Sequence, residues 1–301
     1  MTWHRLAGLL LALLSLRAFA QEIEPRAYSN APVGVNFVVA GLVRTQGGLS
    51  FDASVPVTNA ELDTSSAVFA YARVLDIGGK SAKFDVIVPY THLQGTADYR
   101  DQPVSRDIHG FGRPALRLSV NFHGAPALSL REFRDWKQDL IVGASLQVSP
   151  PLAQYDANRV VNIGANRWTI KPEIGVSKAI GRWIVEGQAA AVFFTDNDDF
   201  FGGHTRSQEP IYTLQGHLIH GFASGTWFSL DATYFAGGRS EMDGERANDL
   251  QQNWRAGATL AIPMGRLHSL KFSASSGVSA RTGNNFDLLG IAWQYRWGGG
   301  L

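Results

Sequence analysis

The feature that most limits what this chain can fold into is a strict alternation of side chains between residues 112 and 122. This stretch reads GRPALRLSVNF, and from Pro114 onward every second residue is apolar, while Arg113 and Arg117 lie among the others. A period of two is typical of a β-strand that has one apolar face and one polar face. In a soluble protein the arginines would face water. In a membrane barrel the apolar face would meet lipid, and the arginines would line a closed interior.

The same alternation recurs along most of the chain. It predicts strands at 34–44, 66–77, 82–93, 110–122, 140–148, 166–177, 182–195, 211–220, 227–236, 253–262, 268–279 and 286–297. Most of them are as long as the roughly ten-residue strands that cross a membrane at a tilt, and longer than the five or six residues usual in soluble sheets. No apolar run long enough for a membrane helix follows the first twenty residues. We therefore predict an all-β fold, a single antiparallel transmembrane β-barrel of about 12 strands.

The first residues, MTWHRLAGLLLALLSLRAFA, have the layout of a secretory signal peptide. Arg5 provides the positive charge, an apolar stretch follows, and Ala18-Phe19-Ala20 provides the small residues of a cleavage site. We expect cleavage before Gln21 and export of the remainder. The predicted organisation is a signal peptide (1–20), an N-terminal segment that is periplasmic or enters the lumen (21–33), the outer-membrane β-barrel (34–297) and a short C-terminal tail (298–301).

The connections between the predicted strands alternate in length. IGGKSA, AIGR, GFASGT and PMGRL are tight and rich in glycine, as hairpin turns require. The polar segments between them are longer and cover 45–65, 94–109, 149–165, 196–210 and 237–252. Short turns at one end and long loops at the other are typical of outer-membrane barrels.

Two connections depart from this rule. Residues 280–285 are predicted to form a short outer loop, and residues 123–139 a long inner one. Within the latter, Ser129 and Glu132 have the spacing of a capping box, which predicts a short periplasmic helix.

Tryptophans provide an independent test of the barrel. If the N-terminus is periplasmic, the strand directions predict two aromatic belts, with Trp168 and Trp254 at the outer rim and Trp183, Trp227 and Trp297 at the periplasmic rim. A soluble sandwich gives no reason for this arrangement. The last strand is similar to the C-terminal signal of outer-membrane barrels, although the tail GGGL follows its final aromatic residue. The apolar faces are therefore expected to meet lipid and the arginines to face inward.

The inward-facing positions predict a polar lumen that holds more bases than acids. The expected lining residues are Arg73, Asp85, Arg113, Arg117, Lys171, Glu173, Glu186, Gln188, Gln215, His217, Asp231, Arg255, Lys271 and Arg296. Charges along a narrow passage select solutes by sign, so this bias predicts a path for small anionic or hydrogen-bonding solutes such as carboxylates. The same side chains can instead form ion pairs that brace a filled barrel, and a lumen of about twelve strands is narrow enough for either arrangement.

Motifs for other chemistry are weak. TDNDDFFGG, at 195–203, groups aspartates beside glycines but lacks the ligand spacing of a helix-loop-helix calcium site, so whether residues 196–203 hold a surface cation stays open. His217 and Ser229, on neighbouring strands, are the nearest pair for a barrel-embedded lipid hydrolase, but no nucleophile-elbow motif accompanies them. The net charge of +1 does not indicate nucleic-acid binding. We expect no enzyme activity, no catalytic residues, no metal site and no cofactor.

The stretch EPRAYSNAPVGVNFVVAG, at 24–41, resembles the start of a family named for a MetA pathway of phenol degradation. The resemblance continues through HGFGRPALRLSVNFHGAPALSLREF (109–133), GANRWTIKPEIGVSKAIGRW (164–183), FFTDNDDFFGGHTRSQEPIYTLQGHLIHGF (193–222) and WQYRWGGGL (293–301). It implies an outer-membrane β-barrel of transporter type that takes up aromatic compounds, and it supplies no catalytic residues. Members commonly carry an acidic residue where this chain has Arg113, which implies a more basic lumen here.

These observations together predict a passive channel for small organic solutes, aromatic or anionic, in the outer membrane of a Gram-negative cell. The expected partners are outer-membrane lipid, the barrel assembly machinery and a small-molecule solute, without nucleic acid. The alternatives are a side-chain-filled barrel with a structural or surface-binding role, the lipid hydrolase, and a secreted soluble sandwich.

Overall fold

The computed structural model describes residues 23–50, 57–99, 102–159 and 161–301. The strands within these ranges are β1 (Val35–Ser50), β2 (Val57–Ile77), β3 (Lys80–Tyr99), β4 (Gln102–Phe111), β5 (Ala115–His123), β6 (Leu140–Ser149), β7 (Thr169–Ile180), β8 (Trp183–Phe194), β9 (Asn197–Phe200), β10 (His204–Gln208), β11 (Ile211–Gly221), β12 (Trp227–Gly237), β13 (Ser240–Met242), β14 (Glu245–Arg246), β15 (Gln251–Met264), β16 (His268–Ala280) and β17 (Gly283–Gly298). One helical turn, α1 (Leu130–Phe133), lies between β5 and β6. The predicted signal peptide and its cleavage site lie outside the described residues.

The long strands form a closed antiparallel barrel. Their order is β2-β1-β17-β16-β15-β12-β11-β8-β7-β6-β5-β3, and β2 also pairs with β3, which completes the ring. Strands β4 and β5 pair with successive halves of β3 and act as one strand interrupted at Gly112–Pro114, where proline cannot donate to a ladder. The barrel therefore has 12 strands, which confirms the predicted fold.

The two ends of the barrel differ, and each is named here by its connections. The turn end carries the connections at 78–79, 124–139, 181–182, 222–226 and 265–267, and the loop end carries, among the described residues, those within 150–168, 195–210, 238–250 and 281–282. At the turn end, Ser129 Oγ accepts a hydrogen bond from the Glu132 amide at 3.4 Å, and Glu132 Oε2 accepts one from the Ser129 amide at 2.9 Å. This capping box confirms the predicted short helix in the long inner connection.

The predicted loops at 45–65 and 94–109 are wrong for most of their length. There β1 stays paired with β2, and β3 with β4, and the Thr45 and Thr64 hydroxyls form a cross-strand hydrogen bond of 2.6 Å. Both strand faces are polar in these stretches because the strands extend beyond the lipid into water, so the alternation that marks a membrane strand is lost. Segments from the predicted loops 196–210 and 237–252 form a small sheet in the order β14-β13-β10-β9.

Side-chain burial shows which face of the alternating stretch at 112–122 points into the barrel. In β5, Leu116 and Leu118 are 43% and 41% exposed, whereas Arg117 between them is only 8% exposed. Most exposed large apolar side chains lie on the outside of the ring and most buried polar side chains inside, with buried apolar residues such as Ile211 and Phe235 as exceptions. The barrel is therefore apolar where lipid surrounds it and polar within. No helix among the described residues is long and apolar enough to cross a membrane.

Four of the five predicted belt tryptophans lie on the outer surface. Trp168 and Trp254 are exposed at the loop end, and Trp183 and Trp297 at the turn end. Trp227 departs from the prediction, because it belongs to the same face of β12 as the buried inward residues. It lies at the turn end as expected, but faces the lumen, where the Arg26 guanidinium carbon lies 5.5 Å from its ring centroid. A cation over the indole face accounts for this inward position.

Candidate functional site: the barrel lumen

Most of the predicted lumen residues occupy inward-facing positions. Those that are deeply buried are Asp85, Arg117, Glu173, Glu186, Gln188, Gln215, His217, Asp231 and Arg255, and those that are partly buried are Arg113 and Lys171. Lys271 and Arg296 also lie on inward faces, opposite Ala292 and Phe37, but their side chains are exposed. Both side chains lie near the turn end, where Arg296 contacts the Arg266 carbonyl, so the lumen is open to solvent at that end.

Arg73 does not line the lumen, so the prediction that it is a lumen residue was wrong. It pairs with Asn36 and Phe84 and shares the outward face of β2 with Phe69. Apolar residues occupy both faces of β2 around this position, so the arginine was a poor marker of the inward side. Because Arg73 lies near the turn end, its long side chain can reach the polar interface while its stem stays among apolar groups.

One wall of the lumen is held together by ion pairs. Arg117 Nε on β5 lies 2.9 Å from Asp85 Oδ2 on β3. On β7, Lys171 Nζ lies 3.0 Å from Glu173 Oε2. Paired and hydrogen-bonded charges are the form in which buried charges are tolerated. These four side chains thus brace the wall and do not present unpaired charge to a solute.

The N-terminal segment, residues 23–34, lies against this wall inside the lumen. Arg117 Nη2 donates to Glu24 Oε1 at 2.8 Å, so one guanidinium holds both the segment and Asp85. The amide of Arg26 donates to Glu186 Oε2 at 2.7 Å. Burial alone raises the pKa of Glu24, but the Arg117 guanidinium, with Lys83 and Lys271, holds the pKa of that carboxyl far below its ordinary value. The segment is therefore bound through charge.

Tyr28 completes the docking of the segment. Its hydroxyl donates to Glu173 Oε1 at 3.0 Å, and its ring fills the space above two glycines of the wall. A Cβ at Gly143 would lie 2.5 Å from the ring, and a Cβ at Gly175 would lie 2.1 Å from it. Only glycine leaves room for the ring at these positions. The sequence did not identify Gly143 and Gly175 as contact positions, because a glycine within a strand does not indicate which side chain packs against it.

His217 and Ser229 do not form the hydrolase pair considered from the sequence. His217 Nδ1 contacts Asp231 Oδ1 at 2.7 Å, and Ser229 Oγ donates to the other oxygen of Asp231 at 3.1 Å. Thr259 Oγ1 also donates to that oxygen at 3.2 Å. A serine nucleophile needs its hydroxyl on the histidine, and here the hydroxyl is bound to the carboxylate. The cluster is a buried polar network around one aspartate.

Arg255 and Arg113 are bound to neighbouring strands. Arg255 Nη1 donates to the Phe286 carbonyl at 2.9 Å and Nη2 to Ser275 Oγ at 2.8 Å, close to where the β16–β17 ladder ends. Arg113, in the interruption between β4 and β5, donates to Thr169 Oγ1 on β7. Both arginines satisfy groups that the strand ladders leave over, and so they stabilise the wall.

The aspartate-rich stretch at 196–203, for which the sequence left cation binding open, is divided between strand and turn. Asn197–Phe200 forms β9, and Phe200 is buried there, with the Arg206 guanidinium carbon 5.3 Å from its ring centroid. No group of three or more His, Asp or Glu side chains that could hold a metal ion occurs among the residues described.

At the turn end, a cavity of about 380 Å³ opens on the lumen side opposite the ion-paired wall. Its lining includes Arg26, Trp227, Lys271, Gln294 and Arg296. Three of these side chains are basic. The N-terminal segment reaches this side too, since a Cβ at Gly257 on β15 would lie 2.9 Å from the Ile23 side chain. The lumen thus has one wall bound to the segment through charge and another at which Lys271 and Arg296 are exposed.

Comparison with known proteins is informative at two levels. The model of the family described as "Putative MetA-pathway of phenol degradation" matches residues 44–295. Among curated protein sequences, none matches this chain.

Three solved structures show the same type of fold. An outer-membrane channel from Pseudomonas putida F1 superposes with a TM-score of 0.78 at 19% identity, over 92% of this chain and 100% of that one. The transport unit of the autotransporter AIDA-I from Escherichia coli gives 0.52 at 8% identity, over 96% and 97% of the two chains. The β domain of the Bordetella autotransporter BrkA gives 0.51 at 11% identity, over 88% and 100%. At these identities the likeness concerns the fold.

Proposed function

Since this chain belongs to the family named for the MetA pathway of phenol degradation, we propose that it is an outer-membrane channel for small organic solutes. Passage is passive and favours anions over cations. Aromatic and anionic compounds are the solute class, and the chain acts without a cofactor and not as an enzyme.

The observation that carries this proposal is the exposure of Lys271 and Arg296. Both residues lie on inward faces of the ring with exposed side chains and without an ion pair within 4 Å among the described residues, whereas Arg117 and Lys171 on the other wall are ion-paired with acids. Unpaired cations along a narrow, low-dielectric passage attract anions and repel cations. A barrel braced throughout by ion pairs would not leave these two side chains in water.

Location and solute class draw on separate observations. The apolar outer surface, with tryptophans at both ends, supports residence in the outer membrane of a Gram-negative cell after cleavage before Gln21. Short turns typically face the periplasm, so the turn end is the periplasmic end in this proposal. The family's description, which names phenol degradation, supports aromatic solutes. The basic cavity supports anionic ones.

Single-channel recording tests the proposal. Protein purified from outer membranes, its folding checked by heat-dependent mobility on a denaturing gel, is inserted into a planar bilayer under a salt gradient. We expect discrete current steps whose reversal potential indicates anion preference. Absence of steps from a folded barrel would contradict the channel and favour the side-chain-filled alternative.

A further inference from the structure

The cavity at the turn end, named here the turn-end cavity, has a lining suited to one class of ligand. Its lining includes Arg26, Trp227, Ala261, Lys271, Gln294 and Arg296, and it contains no acidic side chain among the described residues. Its volume of about 380 Å³ is within the range of small-molecule sites. Three cations and an indole around one space favour an anion that also carries an aromatic ring.

The strand register explains how the indole and an ammonium share this space. Trp227 on β12 pairs with Ala261 on β15, and Ala261 pairs with Lys271 on β16, so the three side chains form one inward row. Two strand spacings, roughly 10 Å, separate the outer members of the row. The small Ala261 side chain between them leaves a notch as wide as a ring.

The cations of the turn-end cavity form no close ion pair with the nearest acids among the described residues, although Lys271 interacts electrostatically with Glu24 and Arg26 with Glu186. Glu24 is held by Arg117, and Glu186 accepts hydrogen bonds from the Arg26 amide and from Ser177 Oγ. Among the described residues, Lys271 and Arg296 take part in none of the ion pairs within 4 Å.

Arg296 is also fixed in position. Its Nε and Nη2 donate to the Arg266 carbonyl at 2.9 and 2.7 Å, which leaves Nη1 for a ligand. Gln294, which lies between the levels of Lys271 and Arg296 on the inward face, adds an uncharged donor.

We propose that the turn-end cavity binds an aromatic monocarboxylate. The ring lies against Trp227 in the notch over Ala261, and the carboxylate accepts charge-assisted hydrogen bonds from Lys271, with Gln294 and Arg296 on its other side. This site rests on the proposed function, since it is a selective binding site within the passage, near the turn end. Neutral aromatics lack the charge, and aliphatic carboxylates lack the ring.

Isothermal titration calorimetry on the folded protein in detergent tests the site with three probes: benzoate, benzyl alcohol and acetate. We expect benzoate to bind at least tenfold more tightly than either of the others. Lys271→Gln should weaken benzoate at least tenfold. Trp227→Leu should reduce its affinity to that of acetate, and Ala261→Phe, which fills the notch, should do the same. Lys178→Gln removes one charge from an exposed lysine, paired with Asp139, at the same end of the barrel and should leave benzoate affinity unchanged.

Two results would overturn the site: equal affinities for the three probes, or unchanged benzoate affinity in folded Lys271→Gln protein. Heat-dependent mobility establishes folding for each variant. Conductance of the same preparations separates this inference from the channel. Anion-selective steps without preferential benzoate binding would refute the site alone. Preferential benzoate binding by a folded barrel that never conducts would refute the channel alone.

Discussion

Arg117 on β5 binds Glu24 of the N-terminal segment and Asp85 of β3 with a single guanidinium group, at 2.8 and 2.9 Å. This contact fastens the N-terminal segment to the lumen wall. The wall strand that it uses, β5, is far in sequence from β1, the strand that follows the segment. Replacing Glu24 with Gln removes one carboxylate while Asp85 still pairs with the arginine. The fold should therefore survive while the docking weakens.

We expect Glu24→Gln to raise single-channel conductance and to increase protease cleavage within residues 23–34. The physical reason is the loss of a charge-assisted contact that holds the segment inside the lumen, where it narrows the passage. Glu209→Gln, which removes an acid from an exposed pair with Arg246, serves as the control and should change neither quantity. Conductance and cleavage equal to those of the unaltered protein would contradict a role for Glu24 in docking.

Docking of the N-terminal segment should depend on pH through Glu24. Its folded pKa is lowered, so its contribution to docking is complete above its unfolded pKa, about 4.3, and is lost as pH falls toward the lower folded value. Conductance measured from pH 7 downward should stay constant to about pH 4 and rise only below it. Glu24→Gln should remove that rise. A transition near pH 6 would instead indicate a histidine.

The Tyr28 ring should be displaced from the lumen wall when Gly143 or Gly175 is replaced by a residue with a side chain. In Gly175→Ala the new Cβ would lie 2.1 Å from the ring, so the tyrosine and its bond to Glu173 must move. We expect greater protease cleavage in the segment and higher conductance. Gly187→Ala, on the neighbouring strand, is the matched control, because its Cβ meets no atom within 4 Å. Equal behaviour of the two variants would show that the ring is not held there.

Ion selectivity should follow the two exposed inward cations. Lys271→Glu and Arg296→Glu should each move the reversal potential toward cation preference, because they invert the field where water fills the lumen. Arg73→Glu makes the same change of charge on the outward face of β2 and should leave the reversal potential where it was. If all three variants shifted it equally, the passage would not run past Lys271 and Arg296.

Strand periodicity and strand length were sufficient to predict a closed barrel, and the spacing of Ser129 and Glu132 was sufficient to predict the capped helical turn. Where lipid lies outside and water inside, each side chain must suit its face, so the alternation reports the fold directly. The same reasoning failed at Arg73, since β2 is apolar on both faces there. It also failed along 45–65, where strands beyond the membrane need no alternation.

The candidate site was predictable only in part. The alternation of side chains along each strand predicts which cations face inward. It cannot distinguish Arg117, which is bound to two acids, from Lys271, which is exposed. That difference depends on Glu24, a residue of the N-terminal segment far from both in sequence. Trp227 was misplaced for a different reason: it shares the inward face of β12 with Asp231, and the sequence prediction did not apply the alternation to it.

Strand β1 pairs with β17 along its whole length, from Val35–Gly298 to Ser50–Gly283. The barrel therefore closes between its first and last strands, and synthesis of the last strand must precede closure. The N-terminal segment leads directly into β1 at the turn end of this seam. The seam therefore fixes where the segment starts, and from that rim Glu24 and Tyr28 reach Arg117 and Glu173 on strands far from β1 in the ring.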